Sequence, residues 1–395
     1  MYIIFILLSI ITLWFITEAI VHNRRLKSIH LRITVSGTRG KSGTTRDIAS
    51  VLRASARRVL AKTTGSEPVY ILPDGSEEQV PRRGIVSIIE QKRVIRKAVE
   101  TGVECIVTEI MSINPENHRA ESRLILKPHI TVLTNFRPDH LDVTEKERRA
   151  VESVFLNDIY KGSDVYIHSE YLSDYLKESV ANLDANLKVA NSVGSYNEQH
   201  DLHRSGFRIR QNTDLVFAVC TDLGVSHEVI EAGIASSVHD RGRSELFCLQ
   251  GGEKKVWFAS AFAANDPVST AILIDKIVKE PGKDFKHIAG LLALRSDRAE
   301  RTKQWTDYLS DEDAIAFSPL FVTGNHSPIV KRRLPDSVII PFGSPEKITD
   351  FIIDHCQDGT IVFGLANIAG TGMAVTEYWR RKASEQQKLN TELTS

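Results

Sequence analysis

The apolar positions fall into two regimes. Residues 2–21 read YIIFILLSIITLWFITEAIV, a continuous apolar run carrying one charge, Glu18. Twenty residues at about 1.5 Å each span roughly 30 Å, one hydrocarbon core. His22-Asn23-Arg24-Arg25-Leu26-Lys27 follows at once. No basic segment precedes the run and no small-residue cleavage site follows it, so it reads as an anchor rather than a signal peptide. The basic flank predicts that residues beyond 22 lie on the cytoplasmic side of a single-pass cell-membrane protein.

Beyond the anchor, short β-rich runs alternate with segments of helical period, the pattern of α/β layers. Strands are predicted at 31–36, 105–108, 130–134 and 164–168, with helices over 41–57 and 88–100, the latter stopped by Gly102. A second set begins near Leu246, with strands at 255–260, 287–294, 314–323, 337–341 and 360–364 and a helix over 267–279. A boundary near Arg243 gives an anchor (1–22), two α/β domains (30–243 and 244–384) and a polar tail (385–395), all ordinary sizes.

Charge removes one class of function. Lys+Arg and Asp+Glu both number 50, which gives no basic footprint for nucleic acid. The four cysteines are scattered without a CxxC pair, against a disulfide framework or zinc site and in keeping with a reducing compartment.

The candidate chemistry begins between the first strand and its helix, at Ser36-Gly37-Thr38-Arg39-Gly40-Lys41-Ser42-Gly43-Thr44-Thr45. Glycines let backbone N–H groups converge on phosphate oxygens, Lys41 supplies a point charge and Ser42 a hydroxyl for magnesium. The helix starting at Lys41 adds its positive end. Val35 stands where the general P-loop has its first glycine; here the loop is shortened and starts at Gly37. Two later strands end in polar signatures: Glu109 after 105–108, and Asn135-Phe136-Arg137-Pro138-Asp139-His140-Leu141-Asp142 after 130–134. On a parallel sheet these ends share the carboxyl edge with the P-loop, where such folds bind ligands. Taken singly, Glu109 reads equally as a strand-end carboxylate and Asp139 and Asp142 as helix caps.

The shortened GTxGK[ST] loop, the strand-end glutamate and the DH[LM]D signature resemble the Mur ligases and folylpolyglutamate synthases. Three second-domain segments resemble theirs too: Phe262-Ala263-Ala264-Asn265-Asp266-Pro267, Leu294-Arg295-Ser296-Asp297-Arg298, and Val322-Thr323-Gly324-Asn325-His326-Ser327-Pro328. Within that superfamily the chain resembles the ligase subunit of poly-γ-glutamate synthases. The matching segments are Lys62-Thr63-Thr64-Gly65, Glu90-Gln91-Lys92, Met111, Asn114-Pro115, and Gly364, Asn367 and Gly370.

The resemblance implies a P-loop central domain and a Rossmann-like C-terminal domain that use ATP and Mg2+ to join a carboxylate to an amine. Lys41, Glu109, His140, Arg295 and Arg298 are then the catalytic candidates. Gly37, Thr38, Arg39, Gly40, Lys41, Ser42, Gly43, Thr44, Asn135 and Asn265 are the nucleotide candidates, and Ser42, Glu109 and His140 the metal candidates. Arg295 and Arg298 read equally as an ion-pair cluster with Asp297 and Glu300, and Arg241 and Arg243 are weaker candidates of the same kind.

The implied partners are glutamate, a growing poly-γ-glutamate chain, a small integral-membrane synthase subunit and further synthase or export subunits. A homo-oligomer is left open. Two departures stand out. Phe155 occupies the spacing of the carbamylated lysine that many Mur ligases carry, and Ala261 the place of the aspartate that opens their second-domain segment. Three rivals stay in view: a ligase for another amino acid, a P-loop ATPase energising export, and a non-catalytic scaffold that retains nucleotide binding.

Overall fold

In the computed structural model the described residues are 2–64, 68–82, 87–136, 145–192, 210–238, 245–264, 266–279, 285–341 and 343–394. They fall into two compact units, each built on its own sheet.

The first unit opens with helix α1, Tyr2–Ser28. Its apolar residues are exposed on every side, while His22 and Leu26 near its end are buried against the unit. The sequence expectation stopped the helix near residue 22. It continues because its last turns pack on the protein, where His22 Nε2 lies 2.9 Å from the Ile125 carbonyl and Lys92 reaches Glu18 at 2.9 Å.

The first sheet holds eight strands: β1 Leu31–Ser36, β2 Val59–Lys62, β3 Val69–Ile71, β4 Glu77–Gln79, β5 Cys105–Glu109, β6 Ile130–Leu133, β7 Asp164–His168 and β8 Asn186–Ala190. Their order is β4-β3-β2-β5-β1-β6-β7-β8, parallel from β2 to β8, with β3 and β4 an antiparallel extension. Strands β1, β5 and β6 lie inside the sheet with helices against it, so their sequences run apolar instead of alternating. One core cluster joins them to helix α2, Lys41–Ala54, and to helices Arg210–Asp222 and His227–Ala235. On the other side helix α3, Glu90–Glu100, buries Val94, Ile95 and Ala98, and Gly102 (φ +59°) takes the left-handed turn after it.

The second unit carries six strands: β9 Leu246–Gly251, β10 Lys254–Ser260, β11 His287–Ala293, β12 Leu320–Thr323, β13 Val338–Ile339 and β14 Thr360–Ala366. Their order is β13-β12-β11-β14-β10-β9, all parallel except β9 on β10. Asp266 caps helix Pro267–Val278 by accepting from Ser269 N at 2.8 Å, with Pro267 in the first turn. A Cβ on Gly364 would come within 2.3 Å of the Phe262 ring, so the glycine permits strand and ring to touch.

Several expectations need correction. The helix over 41–57 ends at Ala54, since Ala56 turns left-handed (φ +64°). The strand over 314–323 shrinks to Leu320–Thr323, because Pro319, without an N–H, precedes it. Residues 337–341 yield only Val338–Ile339.

Candidate active site

The shortened loop is stitched to the end of β6. Thr38 N donates to the Asn135 carbonyl at 3.0 Å, Thr38 Oγ1 to Asn135 Oδ1 at 2.5 Å, and Asn135 Nδ2 to the Arg39 carbonyl at 2.9 Å. Gly37 sits at φ +122°, and a Cβ there would meet Thr134 Oγ1 at 2.3 Å and the Asn135 carbonyl at 2.9 Å. Only glycine fits both the torsion and the space. Gly40 (φ +78°) then turns the chain into α2, whose first N–H groups face the loop. Lys41 folds back over it, donating from Nζ to the Gly37 carbonyl at 2.8 Å.

Beside the loop stands the carboxylate of Glu109, the last residue of β5. Its Oε2 accepts from Ser42 Oγ at 2.7 Å and from Thr64 N at 2.8 Å, and the residue is 4% exposed. Three chain segments, from α2, the end of β2 and the end of β5, thus converge on one oxygen. A carboxylate and a hydroxyl at a phosphate loop are hard oxygen donors, the set magnesium takes when substrate phosphates complete its shell. No group of three or more His, Cys, Asp and Glu ligands occurs among the described residues.

A buried polar network supports this corner. Gln91, in the first turn of α3, donates from Nε2 to the Glu109 carbonyl at 3.1 Å and also reaches Glu121 Oε1. Glu121 accepts as well from Met111 N and Ser112 N, each at 3.0 Å, and from Ser112 Oγ. Burial raises the Glu121 pKa above the ordinary range despite these donors. Lys62, wholly buried at the end of β2, lies 3.3 Å from Glu90 Oε2, and burial pulls its pKa down. Arg82 closes on the other side of Glu90 at 2.9 Å.

A second buried cluster lies under β1. Asp158 accepts from Ser36 Oγ at 2.5 Å, and His118 Nδ1 lies 2.8 Å from its Oδ1. Phe155 stacks on Phe136 (5.7 Å between centroids) and meets His118 edge-on (5.5 Å). The spacing of the carbamylated lysine is therefore filled by an aromatic ring packed into the core.

The structure brings Gly37, Thr38, Arg39, Gly40, Lys41, Ser42, Asn135 and Glu109 together in one corner, with Gly43 and Thr44 in the first turn of α2. His140, with Asp139, Leu141 and Asp142, lies outside the described residues, as do Asn265, Arg241 and Arg243. In the second unit Arg295 makes a bidentate pair with Asp297 (both 2.8 Å), and Arg298 lies 4.0 Å from the same carboxylate. Arg298 borders an open pocket of about 660 Å³ with Asp297, Glu300 and Arg301. Arg301 donates to Asn367 Oδ1 at 2.8 Å, and Asn367 Nδ2 to the Ala293 carbonyl at 2.9 Å. Sequence reasoning gave no role to Gln91, Lys62, Glu121 or Asp158. Gln91 and Lys62 stand within segments already singled out; nothing in the local pattern distinguishes Glu121 or Asp158.

Comparison with known proteins turns this geometry into an assignment. Residues 35–228 match the model of the Mur ligase middle domain, and residues 247–382 that of the poly-gamma-glutamate synthase CapB C-terminal domain. The chain belongs to the Mur ligase superfamily. Within it, the chain is 28% identical over 388 residues to the PGA synthase CapB of Bacillus subtilis, covering 95% of this chain and 97% of that one. It is 29% identical over 305 residues to the capsule biosynthesis protein CapB of Bacillus anthracis, covering 75% of this chain and only 64% of that protein's length. Among solved Mur-type folds, E. coli FolC in complex with ADP matches with a TM-score of 0.65 at 16% identity over 93% of both chains. The bifunctional folylpolyglutamate synthase/dihydrofolate synthase of Yersinia pestis, complexed with AMPPNP and Mn, matches at 0.65 and 13% identity, over 91% of this chain and 92% of that one. At such identities these two support the Mur-ligase-like α/β fold alone.

Proposed function

We propose that this chain is an ATP-dependent, ADP-forming amide ligase that builds poly-γ-glutamate. The observation that carries the reading is the P-loop corner in which Ser42, in the first turn of α2, shares a hydrogen bond with Glu109 at the end of β5. Similarity to two CapB proteins supplies the substrate class.

A carboxylate acylates poorly because its leaving group would be oxide. In the proposed sequence a γ-carboxylate oxygen attacks the γ-phosphorus of ATP, the bond to the β–γ bridging oxygen breaks, and ADP leaves. The amine of an incoming glutamate then attacks the acyl carbon of the resulting acyl phosphate. The amine loses a proton and phosphate departs as the amide forms. Residues 37–43 and the N-terminus of α2 hold the β- and γ-phosphates, and Lys41 leaves the Gly37 carbonyl to reach them. Ser42, Glu109 and His140 would hold magnesium, which neutralises charge spread over the transferring phosphoryl group. Thr64 N and Gln91 fix the carboxylate and backbone of Glu109 so that little reorganises during reaction. Arg295 and Arg298 are assigned to the acidic substrate, for which guanidinium groups suit carboxylates. Glutamate and the growing chain are the substrates, and a small integral-membrane subunit with further synthase or export subunits is the expected company.

Helix α1 is long and apolar enough to cross a membrane, and its span is exposed along its whole length. We place it across the cell membrane with both α/β units in the cytoplasm, on the basis of the Arg24-Arg25-Lys27 flank. Hydroxylamine trapping tests the chemistry. With ATP and glutamate, ADP and a glutamyl hydroxamate should form together; AMP as the nucleotide product would overturn the mechanism. ADP with trapping only on another acid would keep the ligase and discard glutamate.

A further inference from the structure

At the foot of α1 lies an open pocket of about 500 Å³ remote in function from the P-loop corner, lined on its polar side by Lys27, His30, Arg32, Lys127, His129 and Tyr160. No carboxylate lines it. Arg32 forms its floor and is already committed. Nη1 donates to the Leu26 and Ile29 carbonyls at 2.8 and 3.0 Å, and Nε to the Leu126 and Lys127 carbonyls at 3.1 and 3.0 Å. It therefore ties the end of α1 to the segment after residue 125 and answers the carbonyls at the end of α1, which would otherwise repel an anion. His129 Nδ1 accepts from Arg32 N at 3.1 Å, which leaves its proton on Nε2 as a donor. Lys27 and His30 are exposed, and Lys127 Nζ is held 2.8 Å from Asn23 Oδ1. The pocket is thus built from donors and positive charge with no internal counter-ion.

Its position along α1 identifies what fills it. The apolar run ends at Val21, and Asn23 and Lys27 lie two and six residues further along the same unbroken helix, about 3 and 9 Å beyond the hydrocarbon at 1.5 Å per residue. The headgroup layer on each face of a bilayer is about 5–8 Å thick. Lysine side chains a turn beyond it reach back to the phosphates. We infer that this pocket binds the phosphate of an anionic phospholipid headgroup, seating the first unit on the inner leaflet. The inference rests on the reading of α1 as a membrane span. Lys27 and Lys127 supply charge, while His129, His30 and Tyr160 supply hydrogen-bond donors around the phosphate oxygens. The anionic leaflet attracts each such cation by about 1 kcal/mol.

The test uses the full chain purified in micelles that carry equal amounts of phosphatidylglycerol and phosphatidylcholine, with retained lipid read by native mass spectrometry. Phosphatidylglycerol should be retained at least about fivefold over phosphatidylcholine, the factor one such cation supplies. Lys27→Gln with Lys127→Asn should abolish the preference while leaving MgATP affinity unchanged; asparagine tolerates the left-handed backbone at 127 (φ +45°). Lys27→Arg should keep it. Should the double variant misfold, the exposed single change Lys27→Glu carries the test. Equal retention of both lipids, or wild-type preference in the folded variant, overturns the inference. Inorganic phosphate that binds the lipid-free chain through the same lysines, with no phosphatidylglycerol retained, reassigns the pocket to free phosphate and also overturns it. Carbonate extraction of native membranes checks the span separately. A chain that washes off refutes the anchor and with it the seating on the inner leaflet, whereas a chain that resists extraction but shows no lipid preference overturns the pocket alone.

Discussion

Ser42 Oγ and Glu109 Oε2, 67 residues apart in sequence, lie 2.7 Å from each other. The bond joins the first turn of α2 to the end of β5, and it sets a hydroxyl and a carboxylate, both hard oxygen donors, side by side at the loop. Glu109→Ala removes one of them and leaves the Thr64 N–H without its acceptor. Divalent-metal affinity in the presence of nucleotide, followed by Mn2+ titration, should fall by on the order of 100-fold or more, with turnover following it. Unchanged Mn2+ affinity in a folded variant would place the metal elsewhere.

Gly37→Ala tests the loop itself. The substitution combines a torsion near φ +122° with a Cβ at 2.3 Å from Thr134 Oγ1. Strain of this kind costs about 1–3 kcal/mol, and the Thr38–Asn135 bonds must lengthen to relieve it. Urea unfolding should show a loss in that range, and calorimetric titration a MgATP affinity lower by at least tenfold. Wild-type affinity would mean the loop does not cradle phosphate.

Glu121 predicts a pH signature. Its folded pKa is raised by burial above the ordinary glutamate value. A raised pKa means the folded state holds the proton more tightly, so this stabilising contribution is full below the unfolded pKa, near 4.3 for a free glutamate side chain as an approximate reference, and is lost as pH climbs through the folded pKa. Glu121→Gln removes that dependence while losing an acceptor for Ser112. The stability gap between wild type and variant, from urea midpoints, should therefore narrow as pH rises from about 4.3 toward neutrality. A gap that widens over that window would show Glu121 to be ionised throughout.

Phe155 separates this chain from ligases that use a carbamylated lysine. Its ring packs against Phe136 and His118, so Phe155→Ala should cost about 3 kcal/mol through the cavity it leaves. Stripping dissolved CO2 should leave ATP turnover unchanged, because no carbamate is needed at that position. A fall in rate reversed by bicarbonate would point to another lysine.

The sequence carried the parts of the site whose chemistry is written locally. The GTRGKS loop, Glu109 at a strand end and Asn135 after the next strand could be placed on one sheet edge, because a parallel sheet brings its strand ends together. The helix stop at Gly102 was legible for the same local reason. The edge hairpin β3–β4 was not, since three-residue strands such as Glu77–Gln79 carry no alternation. The convergence of Gln91, Lys62 and Glu121 behind Glu109 was equally hidden. Those side chains meet only after β2, α3 and the π-helical turn Ala120–Leu126 pack together. Asp158 and Ser36, 122 residues apart, show the same limit.

The contact between Glu18 and Lys92 has a mechanical meaning. Because α1 runs without a break from its apolar run into its docked last turns, no linker separates the two, and the proposed membrane placement would leave no swivel between bilayer and protein. A chain tied by a loose linker would sample a hemisphere above the membrane. With α1 placed across the bilayer as proposed, the height of the first unit over the lipid would be set by the residues between the end of the apolar run at Val21 and the docked Leu26, each adding about 1.5 Å. The span is apolar on every side, so lipid imposes no preferred facing about the helix axis. Under that placement the first unit is held at one altitude and left free in compass bearing.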